Sequence, residues 1–208
     1  MKGQIISFKK LKNQRDIIIF SINIAIKNIF QFIFTSSDKY WVALFISKAK
    51  LGLYYITYTL LMPVQVLQVA ASKSFYPILV PDFKSKNTDN INNTINYWVL
   101  ITGLITLLYV SNYQFILKIL GKNNIEINPH YLFVLLLAYI IGMYYGLLLQ
   151  VFIFLKNSKV VRNTSIISGL LSLTINILFM KKYGVVVGFI ATLVSHTSLL
   201  FVILFYSI

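Results

Sequence analysis

The sequence predicts an all-α integral membrane bundle of about six transmembrane helices. Three observations carry this. Hydrophobic residues make up 58% of the 208 positions and charged residues only 12%, against about 25% charged in ordinary soluble domains. Mean hydropathy is +0.76, so a soluble monomer of this composition would expose much apolar surface to water. Six stretches each approach the ~20 mostly apolar residues that a spanning helix needs. A helix meets its own backbone hydrogen-bonding demand, which a span through lipid must do.

In order, residues 1–16 ("MKGQIISFKKLKNQRD") form a basic lead, too polar and too long for a cleaved signal peptide. A six-helix lobe over residues 17–208 follows, with spans near 17–37, 51–71, 95–117, 131–155, 161–180 and 185–206. Pro63 lies inside the second span and Pro129 suits the first turn of the fourth. "YWVALFIS" (Tyr40–Ser47) is too short to span and reads as an interfacial or re-entrant piece. "SKSFYPILVPDFKSKNTDNINN" (Ser72–Asn93) reads as a polar cytoplasmic loop.

The basic residues set the orientation. With a cytoplasmic N-terminus, inside segments hold eleven cations: Lys2, Lys9, Lys10, Lys12, Arg15, Lys73, Lys84, Lys86, Lys156, Lys159 and Arg162. Outside segments hold seven: Lys39, Lys48, Lys50, Lys118, Lys122, Lys181 and Lys182. Both termini are therefore expected inside, in the cytoplasmic (inner) membrane. The net charge of +14 is spread over short juxtamembrane segments that face lipid headgroups. It forms no basic face for nucleic acid, which is not an expected partner.

One cation breaks this pattern. Lys27 sits near the centre of "SINIAIKNIFQFIF" (Ser21–Phe34), where insertion is unfavourable by at least ~2.5 kcal/mol. At 100° per residue Asn23, Lys27 and Gln31 stack on one stripe, with Ser21, Asn28 and Thr35 beside it. Ile18, Ile22, Ala25, Ile26, Ile29, Phe32 and Ile33 fill the other side. This is a spanning helix with a lipid face and a polar face. Lys27 then points to a lumen, unless the true span ends early and its stem snorkels to an interface.

The second span repeats the theme, with Tyr54, Tyr58, Gln65 and Ser72 on one face and Gln68 adjoining. Lumen candidates for substrate contact are Lys27, Asn23, Gln31, Tyr54, Tyr58 and Gln65. Tyrosine faces suit sugar rings, and an ammonium offers a point charge to phosphate. In the fifth span Ser165, Ser168, Ser172 and Asn176 align with Gly169; in the sixth, Gly188, Thr192 and Ser195 align beside His196. Small and polar stripes of this kind are the usual seams of membrane helix packing. "GMYYG" (Gly142–Gly146) has the same close-packing spacing.

Catalytic signatures are lacking. The acids are Asp16, Asp38, Asp82, Asp89 and Glu126, the histidines His130 and His196, and there is no cysteine. No zinc-protease helix, carboxylate pair, Gly-rich phosphate loop or nucleophile elbow occurs. Neither an enzyme nor a cofactor nor a metal site is expected.

Two regions carry a family likeness. "SDKYWVALFISKAKLGLYYITYTLLMPVQVLQVAASKSFYPIL" (Ser37–Leu79) resembles the central region of lipid-linked oligosaccharide flippases of the multidrug/oligosaccharidyl-lipid/polysaccharide exporter superfamily. Asp38–Lys39, Gly52, Tyr54 and Pro77 match in order. "FLKNSKVVRNTSIISGLLSLTINILFMKKYGVVVGFIATLVS" resembles the family's late region through Asn176, Gly184 and Gly188. The resemblance implies one lobe of a twelve-helix transporter, equivalent to the C-terminal half. It implies a lipid bilayer setting, an undecaprenyl-pyrophosphate-linked oligosaccharide as substrate, and surface polysaccharide (O-antigen or capsule) biosynthesis as the purpose. Lys27 would then meet pyrophosphate or a sugar acid.

Family members run to about twice this length, so a first-lobe half or a second copy is the expected partner. A truncated or split product is the other expectation. Three alternatives stay open. A drug or small-cation exporter would need an intramembrane acid, for which Asp38, at a helix end, is the nearby candidate. A membrane polysaccharide polymerase or acyltransferase would need a large outer loop or a histidine-centred site. A structural subunit would use its polar stripes only as packing seams.

Overall fold

The computed structural model describes residues 14–85, 88–121 and 125–206. Among these residues seven helices follow one another: α1 (Gln14–Phe45), α2 (Lys48–Ser85), α3 (Thr88–Ser111), α4 (Tyr113–Ile119), α5 (Pro129–Phe154), α6 (Ser158–Tyr183) and α7 (Val186–Phe205). Among the described residues there is no strand. All but the short α4 are long and apolar enough to cross a membrane. The basic lead 1–16 lies outside the described residues up to Gln14, where α1 begins.

Local chemistry sets the helix ends. Pro129 opens α5, and the Asn128 side chain accepts from the His130 backbone N–H at 2.9 Å, a cap for one of the free first-turn donors. At the other end of α5 the Lys156 N–H donates to Ile153 and the Asn157 N–H to Phe152. That pair of bonds is the Schellman closure, which needs a left-handed residue. Lys156 occupies it at φ 56. Gly184, at φ 76, ends α6 with its N–H on the Met180 carbonyl.

Two helices are longer than expected. α1 continues past Ser37, so Tyr40–Phe45 is its last part rather than a separate interfacial piece, and Val42 is fully buried there. Asp38 consequently lies inside a helix and not at its end. α2 has 38 residues, about 57 Å at 1.5 Å per residue, well beyond a hydrocarbon core of about 30 Å. The stretch expected as a loop from Ser72 is helical to Ser85, and α3 begins at Thr88. Pro63, Pro77 and Pro81 all lie within α2. Each removes one N–H donor and frees the carbonyl four residues earlier, at Thr59, Lys73 and Pro77. The third expected span, 95–117, is divided at Asn112 between α3 and α4.

α1 packs chiefly on α6, α6 on α7, and α7 on α5, while α2 leans on α5 and α3. α1 and α2 touch each other only slightly, with Asp38 bonded to Tyr54 near the turn that joins them. They sit on opposite sides of a floor made by α5, α6 and α7, which leaves a trough between them. Glycines set the close approaches. A Cβ on Gly169 would meet Phe30 of α1, one on Gly142 would overlap the His196 ring, and one on Gly188 would overlap the Tyr54 hydroxyl. The serine stripe of α6 is buried: Ser168 shares a 2.8 Å bond with Ser198, and Ser195 donates to the Ser168 carbonyl at 3.4 Å. This is the packing seam its spacing predicts.

Candidate functional site: a cationic trough between α1 and α2

The trough encloses a cavity of about 490 Å³, within the range of small-ligand sites. Its α1 wall carries Lys27, Gln31, Thr35 and Lys39; its α2 wall carries Tyr58, Gln65, Gln68, Ser72 and Lys73. The floor comes from α5, α6 and α7, including Tyr139, Gln150, Ser165, Thr192 and His196. Among the described residues three ammonium groups line it and no acidic side chain does. The α1 helical rise puts Lys39 roughly 18 Å from Lys27 along the trough. With Asp38 bonded to Tyr54, Lys73, nineteen residues further along α2, lies near the opposite end. The cations are therefore spread along the trough rather than gathered at one point.

The side chains on the walls are held in place. The Lys27 ammonium donates to the Gln31 side chain and, at 3.4 Å, to Asn28, so it lies along the polar stripe of its own helix. Gln65 donates to the Tyr139 hydroxyl and Gln68 to the Tyr139 backbone carbonyl, which clamps α2 to α5. The Tyr58 hydroxyl bonds Thr192 of α7 at 2.8 Å, and the Lys39 ammonium sits over the Tyr58 ring at 5.3 Å, within cation–π range. His196 donates from Nδ1 to the Thr192 carbonyl at 2.8 Å. A carbonyl can only accept, so this bond fixes the tautomer of a neutral ring and leaves Nε2 an acceptor.

Of the six candidates, Lys27, Gln31, Tyr58 and Gln65 line the cavity. Asn23 and Tyr54 do not. Asn23 is 3% exposed, donates to Ser158 at 2.9 Å and accepts from Arg162 at 3.0 Å. It pins the start of α1 to the start of α6. Tyr54 is fully buried behind the wall, and its hydroxyl donates to Asp38.

Lys39 and Lys73, read as topology-setting cations, lie on the trough walls. A signal for Lys39 is present in the sequence, because the stripe Asn23, Lys27, Gln31 continues in steps of four through Thr35 to Lys39. Ending the span at Ser37 cut that stripe short. Lys73 was hidden in the same way, since it follows Gln65 by two four-residue steps on a helix taken to end near 71.

Six long apolar helices among the described residues, five of them lining a polar trough, define a multi-pass membrane protein. Residues 5–129 match the family described as polysaccharide biosynthesis protein, and the chain belongs to that family. The match takes in α1 to α4 and both trough walls, and α5 to α7 lie almost wholly beyond it. No curated protein and no solved structure matches the chain.

Proposed function

We infer that the chain is one lobe of a flippase. In this reading it carries an undecaprenyl-pyrophosphate-linked oligosaccharide unit across the cytoplasmic membrane for O-antigen or capsule assembly. The observation that carries the inference is the trough: among the described residues its lining has three lysines, several amides and tyrosine hydroxyls, and no acid. Membership of a polysaccharide biosynthesis family supplies the biological setting. Lysine is a strong point-charge partner for phosphate, and amides and hydroxyls can exchange bonds with sugar hydroxyls as they pass. The trough floor supplies positioned polar groups, and transport is the proposed role.

Alternating access needs two bodies that move around one site. A first-lobe half, or a second copy, closes the open side between α1 and α2 in this proposal. Both termini are placed in the cytoplasm on the lysine and arginine count. Complementation tests the reading. The chain is expressed in a flippase-deleted strain with and without a first-lobe partner, and surface polysaccharide is scored. Rescue that requires the partner is the expected result, and rescue by the chain alone identifies a homodimer. Failure in both settings, with membrane insertion verified, overturns the flippase reading. Lys27→Ala then separates transport from a structural subunit. It should abolish rescue in a transporter and leave a structural seam intact.

A further inference from the structure

We propose that Asp38 is a proton-binding site, wired to the trough through the hydroxyls of Tyr54 and Tyr58. Asp38 is 2% exposed in the last third of α1, two turns before its end, and a buried carboxylate in a spanning helix is rarely placed without a task. Its direct partners are hydrogen-bond donors; the nearby Lys39 ammonium lies over the Tyr58 ring and forms no ion pair with it among the described residues. Its Oδ1 accepts the Lys39 backbone N–H at 2.8 Å and its Oδ2 accepts the Tyr54 hydroxyl. The next bonds run outward, with Tyr54 and Tyr58 hydroxyls 3.2 Å apart and Tyr58 2.8 Å from Thr192. Tyr58 and Thr192 line the cavity, while Asp38 and Tyr54 do not. The chain of hydroxyls therefore leads from the trough to a buried carboxyl.

The bond pattern accommodates both charge states. With Asp38 ionised, Tyr54 donates to the carboxylate, and a turn of the Tyr58 O–H about its C–O bond lets it donate to Tyr54 in place of the Tyr54-to-Tyr58 bond that the structure shows, with Thr192 donating to Tyr58. With Asp38 protonated, every donor reverses. The carboxyl donates to Tyr54, Tyr54 to Tyr58, Tyr58 to Thr192, and Thr192 to the Gly188 carbonyl, 2.9 Å away. No donor is left without an acceptor in either direction. The transfer balances: a hydronium in the trough gives its proton to the Tyr58 oxygen, Tyr58 passes its own to Tyr54, and Tyr54 passes its own to Asp38. The hydronium becomes water, both tyrosines end neutral, and the carboxylate becomes an acid.

Other groups around Asp38 leave this site to the carboxyl. On its own helix Lys39 directs its ammonium over the Tyr58 and Tyr55 rings at 5.3 and 6.0 Å. Tyr54 and Tyr58 face it from α2, and Tyr139 lies beyond them on α5, held by Gln65. From α6 the neighbouring cluster receives apolar Met180, and from α7 apolar Phe189, which packs on both tyrosine rings. His196 on α7 sits one turn past Thr192, bonded to its carbonyl. The proposal holds whatever cargo the trough carries.

Infrared difference spectroscopy tests it in the chain reconstituted in lipid nanodiscs. Replacing Asp16, Asp82, Asp89 and Glu126 by their amides leaves Asp38 the only side-chain carboxyl in the sequence. Lowering the pH should bring up a protonated-carboxyl band that Asp38→Asn removes, which sets it apart from the C-terminal carboxyl that both proteins share. On a jump into D2O the band should shift promptly, and Tyr58→Phe or Tyr54→Phe should slow that shift at least tenfold while keeping the band. If Asp38→Asn does not accumulate, the exchange rates of the two tyrosine variants decide alone. A carboxyl that never protonates, or one that exchanges equally fast without the hydroxyls, overturns the proposal.

Discussion

Gly188→Ala tests whether Tyr54 is seated as the structure has it. The added Cβ would overlap the Tyr54 hydroxyl and stand 2.9 Å from Cζ and 3.1 Å from Cε2. Tyr54 is completely buried and packs on Phe189, with ring centroids 4.7 Å apart, so it has little room to retreat. Forcing a side chain into a filled site costs about 1–3 kcal/mol. Replacing a helical glycine by alanine returns about 0.5–1 kcal/mol. Mid-range values leave a net loss of about 1 kcal/mol, and for a chain of this size that lowers the midpoint by about 2–4 °C.

The assay is a thermal melt of the purified protein followed by the fluorescence of its two tryptophans. Gly103→Ala is the internal control. It lies within α3, and a Cβ there meets nothing within 4 Å, so that change should leave the midpoint unchanged or raise it. In a Tyr54→Phe background the overlapping hydroxyl is gone, and Gly188→Ala should lose about 1 kcal/mol less than in the native chain. A Gly188→Ala protein as stable as the native one, or an equal loss in both backgrounds, refutes the reasoning.

The remaining predictions are shorter. Lys156→Gly should stabilise the chain by about 1 kcal/mol, because a lysine now holds the left-handed position of the α5 closure; the same melt reads it. Asn23→Ala should destabilise by about 1–3 kcal/mol, since it strips partners from Ser158 and Arg162. It touches no cavity wall, so once folded it should still rescue polysaccharide export, and complementation at reduced temperature checks this. Gln68→Leu should loosen the α2–α5 clamp, read as faster amide hydrogen exchange around Tyr139 than around Leu147 on the same helix.

The fold class was legible because spanning a membrane leaves few options: apolar runs of the right length must be helices. The polar stripe of α1 was legible as well, since Lys27 and Gln31 lie on the cavity wall where four-residue stacking puts them. Lengths were not. A window of about twenty residues ended α1 at Ser37 and α2 at Ala71, and so separated Lys39 and Lys73 from the helices that aim them into the trough. Pro77 and Pro81 made residues 72–85 look like a loop, although a helix can retain prolines where neighbours and solvent satisfy the freed carbonyls.

Asn23 and Tyr54 show a different limit. Each shares a face with cavity residues, yet the partner that claims it, Arg162 for Asn23 and Asp38 for Tyr54, comes from another position along the chain. Periodicity assigns a face and leaves open which neighbour occupies it. Asp38 itself was read as a helix-end residue, and only the continuous α1 shows it buried behind two tyrosines.

The central claim is that the trough carries an anionic lipid-linked cargo, and binding of undecaprenyl pyrophosphate tests it most directly. The probe is titrated into nanodiscs holding the chain, together with its first-lobe partner if rescue requires one. Lys27, Lys39 and Lys73 are replaced by glutamine singly and together. If each charge-assisted contact is worth at least ~1 kcal/mol, a single change weakens binding roughly fivefold and the triple change on the order of 100-fold. A loss that grows with each lysine removed is the predicted result. Binding that survives the triple replacement unchanged contradicts the account.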